Sequence, residues 1–116
     1  MKSRRCIFCE IVAGQLPAEI VFQSEMVIAV KDIRPQAPVH ILIIPKEHIP
    51  TLNDLTTEHR QLIGEMFLAA RNVAAEFGLS EKGYRTVLNC NKDAGQQVYH
   101  IHLHVLGGRK LGWPPG

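Results

Sequence analysis

The chain has 116 residues, a formal net charge of +2 and 21% charged residues, which predicts a single domain over residues 1–116 with an ordinary apolar core. The weak, scattered charge is not typical of a nucleic-acid-binding surface, and no segment reaches the roughly 20 apolar residues needed to cross a bilayer. Three cysteines, an odd number, argue against a secreted disulfide framework, so we expect a cytoplasmic protein without nucleic-acid or membrane partners.

Hydrophobic periodicity predicts two helices and five strands. In chain order these are a short helix at 6–14, strands at 19–23, 27–32 and 39–45, a long helix at about 57–77, and strands at 84–91 and 98–106. The strand at 39–45 is almost wholly apolar, which predicts a central place in the sheet. Gly78 suits the residue that ends the long helix. Because strands outnumber helices and include hairpins, we expect an α+β fold with a mostly antiparallel sheet.

Three of the six histidines alternate with apolar residues in YHIHLHVL: His100, His102 and His104. Residues two apart on a strand share a face, so the pattern predicts a row of imidazoles opposite a row of core residues. One interpretation is a metal site, because imidazole is the commonest metal ligand. Another is covalent catalysis by a neutral imidazole beside a bound phosphate, which the neighbouring amides and glycine favour. The residues alone leave both interpretations open.

The resemblance of this chain to a known family covers nearly its whole length. The segments IFCEIVAGQLPAEIVFQ, KDIRPQAPVHILIIPKEHI and GYRTVLNCNKDAGQQVYHIHLHVLGGR, with the ending WPPG, resemble the histidine triad (HIT) superfamily, in its nucleotide-binding branch of purine nucleoside phosphoramidases. The resemblance implies a HIT-like fold, which is a five-stranded antiparallel sheet with one long and one short helix. It also implies a homodimer whose two sheets join into one of ten strands.

The activity implied by the resemblance is hydrolysis of the P–N bond of a purine nucleoside 5′-phosphoramidate. The product would be the nucleoside monophosphate, formed through a nucleotidyl-histidine intermediate with no cofactor required for the chemistry. Two alternatives are a dinucleoside polyphosphate hydrolase of the same superfamily and a nucleotide-binding protein without turnover.

The resemblance further implies roles for individual residues. His102 would be the nucleophile, His104 would hydrogen-bond the phosphate and the scissile region, and His40 would orient the triad from a neighbouring strand. Asp32 would bind the ribose hydroxyls, although a carboxylate at a strand end could instead cap a turn. The phosphate would be held by Asn89, Gly95 and the backbone of Gln97 and Val98. The purine would lie in a slot lined by Ile7, Phe8, Ile11, Val30 and Ile33.

Two positions depart from the pattern of the animal relatives. Gln97 stands where they carry a serine that contacts the leaving group, which leaves the leaving-group preference open. Val30 stands where they carry an aromatic residue, which predicts a looser slot for the base. The ending LGWPPG resembles a segment that spans the dimer, so Trp113 is expected near the partner subunit's site.

The pair Cys6 and Cys9 in CIFC is compatible with half of a zinc site, a redox pair or two packed small residues. The resemblance adds His48 and His100, because some relatives bind zinc through this set of four. A structural zinc ion is therefore one alternative. In the other, the cysteines pack in the interior, His48 lies on the surface, and His100 hydrogen-bonds within the triad strand.

Overall fold

The computed structural model describes residues 5–116; Lys2 and Arg4, from the basic start of the chain, lie outside the described residues. The elements are α1 (Ile7–Val12), β1 (Ile20–Gln23), β2 (Val27–Lys31), β3 (Val39–Pro45), α2 (Arg60–Glu76), β4 (Tyr84–Val87) and β5 (Leu103–Gly107). Every strand pair is antiparallel and the order across the sheet is β1-β2-β3-β5-β4. The α+β class and the central place of β3 are thus as predicted. In the part of the chain that is described, no helix is long and apolar enough to span a membrane.

Both faces of β3 are covered, which explains why its sequence is apolar except for His40. Alternate residues of β3, such as Ile41 and Ile43, pack beneath α2 in the main core, where Met66 is also buried. Leu42 and Ile44 point to the other face and form a second cluster with residues of α1. Each fully buried side chain of this size contributes roughly 1.5–3 kcal/mol. Because successive residues of a strand point to opposite faces of the sheet, β3 contributes side chains to both apolar clusters.

The long helix begins at Arg60, whereas the sequence predicted a start near Thr57. The preceding residues form a separate 3-10 turn with a reciprocal cap. In this cap the Thr56 side chain accepts a backbone N–H, and Nδ1 of His59 accepts the N–H of Thr56 at 2.9 Å. The C-terminal end agrees with the prediction, because Gly78 has a φ of +75° in the left-handed region that glycine tolerates.

The predicted fifth strand, residues 98–106, begins later than expected. The ladder with β3 starts at Leu103, and the chain before it bonds to the segment that follows β3. There the N–H of Ile101 donates to the carbonyl of Ile49 at 2.8 Å. The physical reason lies at the end of β3, where Pro45 has no N–H with which to extend the ladder. Two of the three histidines therefore precede the strand.

Candidate functional site

The three histidines keep their alternation although only His104 lies within β5. The apolar residues that alternate with them are all buried in the main core: Ile101, Leu103 and Val105. The rings of His102 and His104 lie side by side, with their centroids 4.9 Å apart. His100 is completely buried and turns towards the cysteines of the CIFC segment. The row predicted from the sequence is therefore a pair of imidazoles and a separate third one.

The hydrogen bonds of His102 define which of its nitrogens is free. Its Nδ1 lies 2.8 Å from the backbone carbonyl of His100, and a carbonyl can only accept, so Nδ1 carries the proton. The lone pair is then on Nε2, away from this bond. Burial lowers the pKa of His102, against the opposing effects of the His100 carbonyl and the charge of Asp32. A neutral imidazole with a free lone pair is the form required of a nucleophile.

A chain of hydrogen bonds determines the tautomer of His104. The backbone N–H of Gln36 donates to Nδ1 of His40 at 3.0 Å, so the proton of the His40 ring is on Nε2. That nitrogen lies 2.9 Å from Nδ1 of His104, which must accept. The remaining proton of His104 is therefore on Nε2, as a hydrogen-bond donor. Burial lowers the pKa of His104 to about 4, reinforced by repulsion from His102 and His40 when these rings are protonated, so the His104 ring is neutral at neutral pH.

Asp32 has one oxygen in a turn and the other near the histidines. Its Oδ1 accepts the N–H of Arg34 at 2.8 Å, which is the capping contact that the sequence allowed as an alternative. Its Oδ2 lies 3.4 Å from Nε2 of His40. Burial lowers the pKa of His40, and the charge of Asp32 opposes this effect. The carboxylate thus has a structural role that leaves its second oxygen turned to the site.

The residues predicted to line a purine slot fall into two groups. Phe8, Ile11 and Val30 belong to the apolar cluster on the α1 side of the sheet. The Phe8 ring also packs edge-on against His102, with the centroids 4.9 Å apart. Ile7 and Ile33 lie outside that cluster, and Ile33 is 90% exposed. The structure therefore brings three of the five residues into one cluster, of which Phe8 contacts the candidate nucleophile.

The predicted phosphate-binding residues lie in a loop rather than at a strand end. The fourth strand was expected to reach residue 91 but ends at Val87, so Asn89 follows the strand. Gly95 has a φ of +91°, a conformation that suits glycine. Val98 packs against the α1-side cluster, whereas Gln97 is exposed and lines an open depression of about 1310 Å³ that also includes His48. The four positions therefore belong to the connection between β4 and β5.

The four residues proposed from the sequence as zinc ligands converge, with all ligand atoms within 4.8 Å of one another. The His100 Nδ1 lies 3.4 Å from Cys6 Sγ, 3.6 Å from Cys9 Sγ and 3.2 Å from His48 Nδ1. Tetrahedral zinc with ordinary bond lengths places N and S ligands about 3.5 Å apart, which these distances approach. The Nε2 of His100 lies 2.7 Å from the carbonyl of Pro45, so the lone pair on Nδ1 faces the other three ligands.

A second cluster of potential ligands differs from the first in its protonation. It consists of Asp32, His40 and His104. The Nε2 of His40 carries a proton, because its Nδ1 accepts the Gln36 N–H, so no lone pair faces the cluster from this ring. In this cluster the His40 ring donates to His104 and Asp32 lies nearby, whereas in the cysteine-containing cluster the lone pair of His100 faces the other three ligands.

The fold and the paired imidazoles define a histidine triad protein, and comparisons with known proteins agree. A family model described as "Scavenger mRNA decapping enzyme C-term binding" matches residues 5–112. The purine nucleoside phosphoramidase of Escherichia coli K12 is 51% identical over 106 residues, which are 91% of this chain and 89% of that protein. The chain belongs to the histidine triad family, as its resemblance predicted.

Solved structures of the family superpose closely on this fold. A HIT family hydrolase from Legionella pneumophila Philadelphia 1 is 52% identical and has a TM-score of 0.95, covering 97% of this chain and 100% of that one. A zinc-bound histidine triad family protein from Mycobacterium smegmatis is 36% identical and has a TM-score of 0.78, covering 96% of this chain and 79% of that one. The predicted five-stranded antiparallel fold is confirmed.

Sequence reasoning missed the backbone groups that set the histidine tautomers. The Gln36 N–H determines the tautomer of His40, and the Pro45 carbonyl determines that of His100. Because backbone groups of this kind occur throughout a chain, the residue types at these positions do not indicate that they bind a histidine. Only the turn-forming sequence RPQAP and the proline that ends β3 indicate that free backbone groups occur there.

Proposed function

We propose that this protein hydrolyses the P–N bond of purine nucleoside 5′-phosphoramidates. The observation that carries the proposal is the neutral His102, whose lone pair is directed away from the backbone carbonyl that holds its proton. The 51% identity to a purine nucleoside phosphoramidase supports the assignment to this enzyme class.

The chemistry divides into two displacements at the α-phosphorus. The His102 Nε2 lone pair forms a bond to phosphorus while the bond to the amine breaks, and the amine departs with the proton from Nε2 of His104. Water then attacks the phosphorus and its proton returns to Nε2 of His104, which breaks the nucleotidyl-histidine bond, restores the imidazole of His102 and releases the nucleoside monophosphate. The Nε2–H of His104 donates a hydrogen bond to the phosphate and the scissile region, while His40 holds that ring in the required tautomer.

Recognition of the nucleotide uses both sides of the histidine pair. The purine packs against Phe8, Ile11 and Val30, with Ile7 and Ile33 at the rim of the slot. The Oδ2 of Asp32, which takes no part in the turn contact with Arg34, accepts from the ribose hydroxyls. The phosphate oxygens are bound by the loop that carries Asn89, Gly95, Gln97 and Val98. Backbone N–H groups of such a loop suit an anion without adding a charged side chain.

The functional unit is proposed to be a homodimer with a continuous ten-stranded sheet formed through β4. Among the described residues, 5–116, this strand pairs with β5 alone, so its other edge is open there. Phe67 and Leu68 on α2 leave 48% and 46% of their surface exposed, which favours burial against a second copy. Trp113 is 80% exposed beside Arg85 of β4, so the chain's end lies close enough to this edge to approach the partner's site.

The cysteine-containing cluster is proposed to bind zinc through Cys6, Cys9, His48 and His100. Bound zinc would be structural, because four protein ligands fill its coordination shell. It would tie α1 to the segment before β5 and so hold Phe8 against the nucleophile. Metal analysis of purified protein is expected to find about one zinc per chain in wild type and in Cys90→Ser, the third cysteine, but not in Cys9→Ser. Equal zinc content in the two cysteine variants would contradict this assignment.

The catalytic proposal is tested with adenosine 5′-phosphoramidate. Wild type is expected to turn it over and, after rapid quenching, to show an intact mass increased by one nucleotidyl group. His102→Ala is expected to bind the nucleotide without turnover or adduct, while His59→Gln, outside the site, behaves as wild type. A folded wild type that binds nucleoside monophosphate but does not hydrolyse the phosphoramidate would refute the proposed enzymatic activity. Faster hydrolysis of a dinucleoside polyphosphate would assign the other branch.

A further inference from the structure

The side chain of Gln96 uses all of its hydrogen-bonding groups inside the protein. It is 6% exposed, although it lies in a polar loop sequence, DAGQQ, typical of solvent-facing amides. Its Oε1 accepts the N–H of Asn91 at 2.8 Å, and its Nε2 donates to the carbonyls of Pro50 at 2.7 Å and Val98 at 3.1 Å. A flipped amide would satisfy none of these three partners, so the orientation is determined.

The first of these partners has an unusual backbone. Asn91 has φ 68° and ψ −172°, a region that glycine adopts freely and other residues rarely do. Both backbone groups of Asn91 bind Gln96, because its carbonyl also accepts the Gln96 N–H at 3.1 Å. The loop 91–96 is therefore closed at its ends by one residue, which holds a conformation that would otherwise relax.

The other partners join this loop to the site and to the rest of the fold. Gln96 lies between Gly95 and Gln97, and it binds the carbonyl of Val98, so it contacts the segment proposed to bind phosphate. Its bond to Pro50 anchors that segment to the connection between β3 and α2. The buried amide of Gln96 thus joins three parts of the chain, which are the strained Asn91, the connection that contains Pro50, and Val98 in the segment proposed to bind phosphate.

We propose that Gln96 is a positioning residue, which holds the loop 91–98 in the conformation that binds the phosphate of the substrate. The inference rests on the proposed function, since it assigns the loop to the phosphate. Without the amide, Asn91 can relax and the binding conformation becomes a smaller fraction of the population. The apparent dissociation constant of a phosphate-bearing ligand rises in inverse proportion to that fraction.

The test compares two ligands that differ only in phosphate, adenosine 5′-monophosphate and adenosine. Gln96→Met keeps the length of the side chain but removes its three hydrogen bonds, and Gln61→Met makes the same change at an exposed position of α2. Calorimetry is expected to show roughly tenfold weaker binding of the monophosphate by Gln96→Met, with adenosine binding within about twofold of wild type. Gln61→Met is expected to match wild type for both ligands.

A second variant tests the role of the strained backbone. Adding Asn91→Gly to Gln96→Met lets glycine adopt the native φ and ψ without strain, so part of the monophosphate affinity is expected to return. Unchanged monophosphate binding by Gln96→Met, equal weakening of both ligands, or no recovery in the double variant would each overturn the inference. A wild type that binds the monophosphate no more tightly than adenosine would instead overturn the proposed function.

Discussion

The burial of His104 makes the stability of the protein depend on pH. Its pKa is lowered from the ordinary value of 6.5 to about 4, mainly by burial. As pH falls below 6.5 the unfolded chain binds this proton first, so protonation favours unfolding. The stability contributed by neutral His104 is complete above pH 6.5 and is lost as pH approaches 4. With a pKa of 6.5 in the unfolded chain and about 4 in the folded protein, the free energy of unfolding at pH 5 falls by about 2 kcal/mol.

The assay is urea unfolding followed by far-ultraviolet circular dichroism at pH 7.5 and pH 5.0, for wild type and His104→Gln. The other histidines contribute to both proteins, so the difference between their pH dependences isolates His104. Between pH 7.5 and pH 5.0 the free energy of unfolding of wild type is expected to fall by about 2 kcal/mol more than that of the variant. Equal losses in the two proteins would refute the reasoning that burial keeps this imidazole neutral.

The dimer, the turn after β5 and the orienting histidine can each be tested by one substitution. Leu68→Glu places a charge on the exposed face of α2, so sedimentation is expected to show monomers where wild type is dimeric; an unchanged dimer would place the interface elsewhere. Gly108→Ala is expected to lower the free energy of unfolding, measured by urea titration, by about 2 kcal/mol. The φ of Gly108 is +92°, and a new Cβ would lie 2.9 Å from the Pro38 ring. A Cβ at Gly112 would meet no atom within 4 Å, so Gly112→Ala is expected to leave the free energy of unfolding unchanged. His40→Gln is expected to reduce kcat for the phosphoramidate by roughly tenfold or more with the fold retained, and wild-type kcat would exclude an orienting role.

Features that depend on local pattern could be predicted from the sequence. The bounds of β3 are those of the run VHILIIP, which is apolar except for His40, because a strand covered on both faces needs mostly apolar side chains. The end of α2 was likewise visible in Gly78. The identity of the nucleophile came from the resemblance of the histidine motif, and its chemical role remains a proposal that the geometry supports.

The α+β class, the family and the set of side chains available for chemistry follow from the sequence, because periodicity and motif spacing are local properties. Tertiary contacts determine how those side chains are grouped and which of their nitrogens carry protons. The fold separates the His100 ring from those of His102 and His104, and it brings the His40 ring into hydrogen-bonding contact with the His104 ring. The groups that fix the tautomers are backbone donors and acceptors, such as the Pro45 carbonyl, 55 residues from the histidine that it binds. Every residue carries such groups, so only the folded chain determines which of them meet.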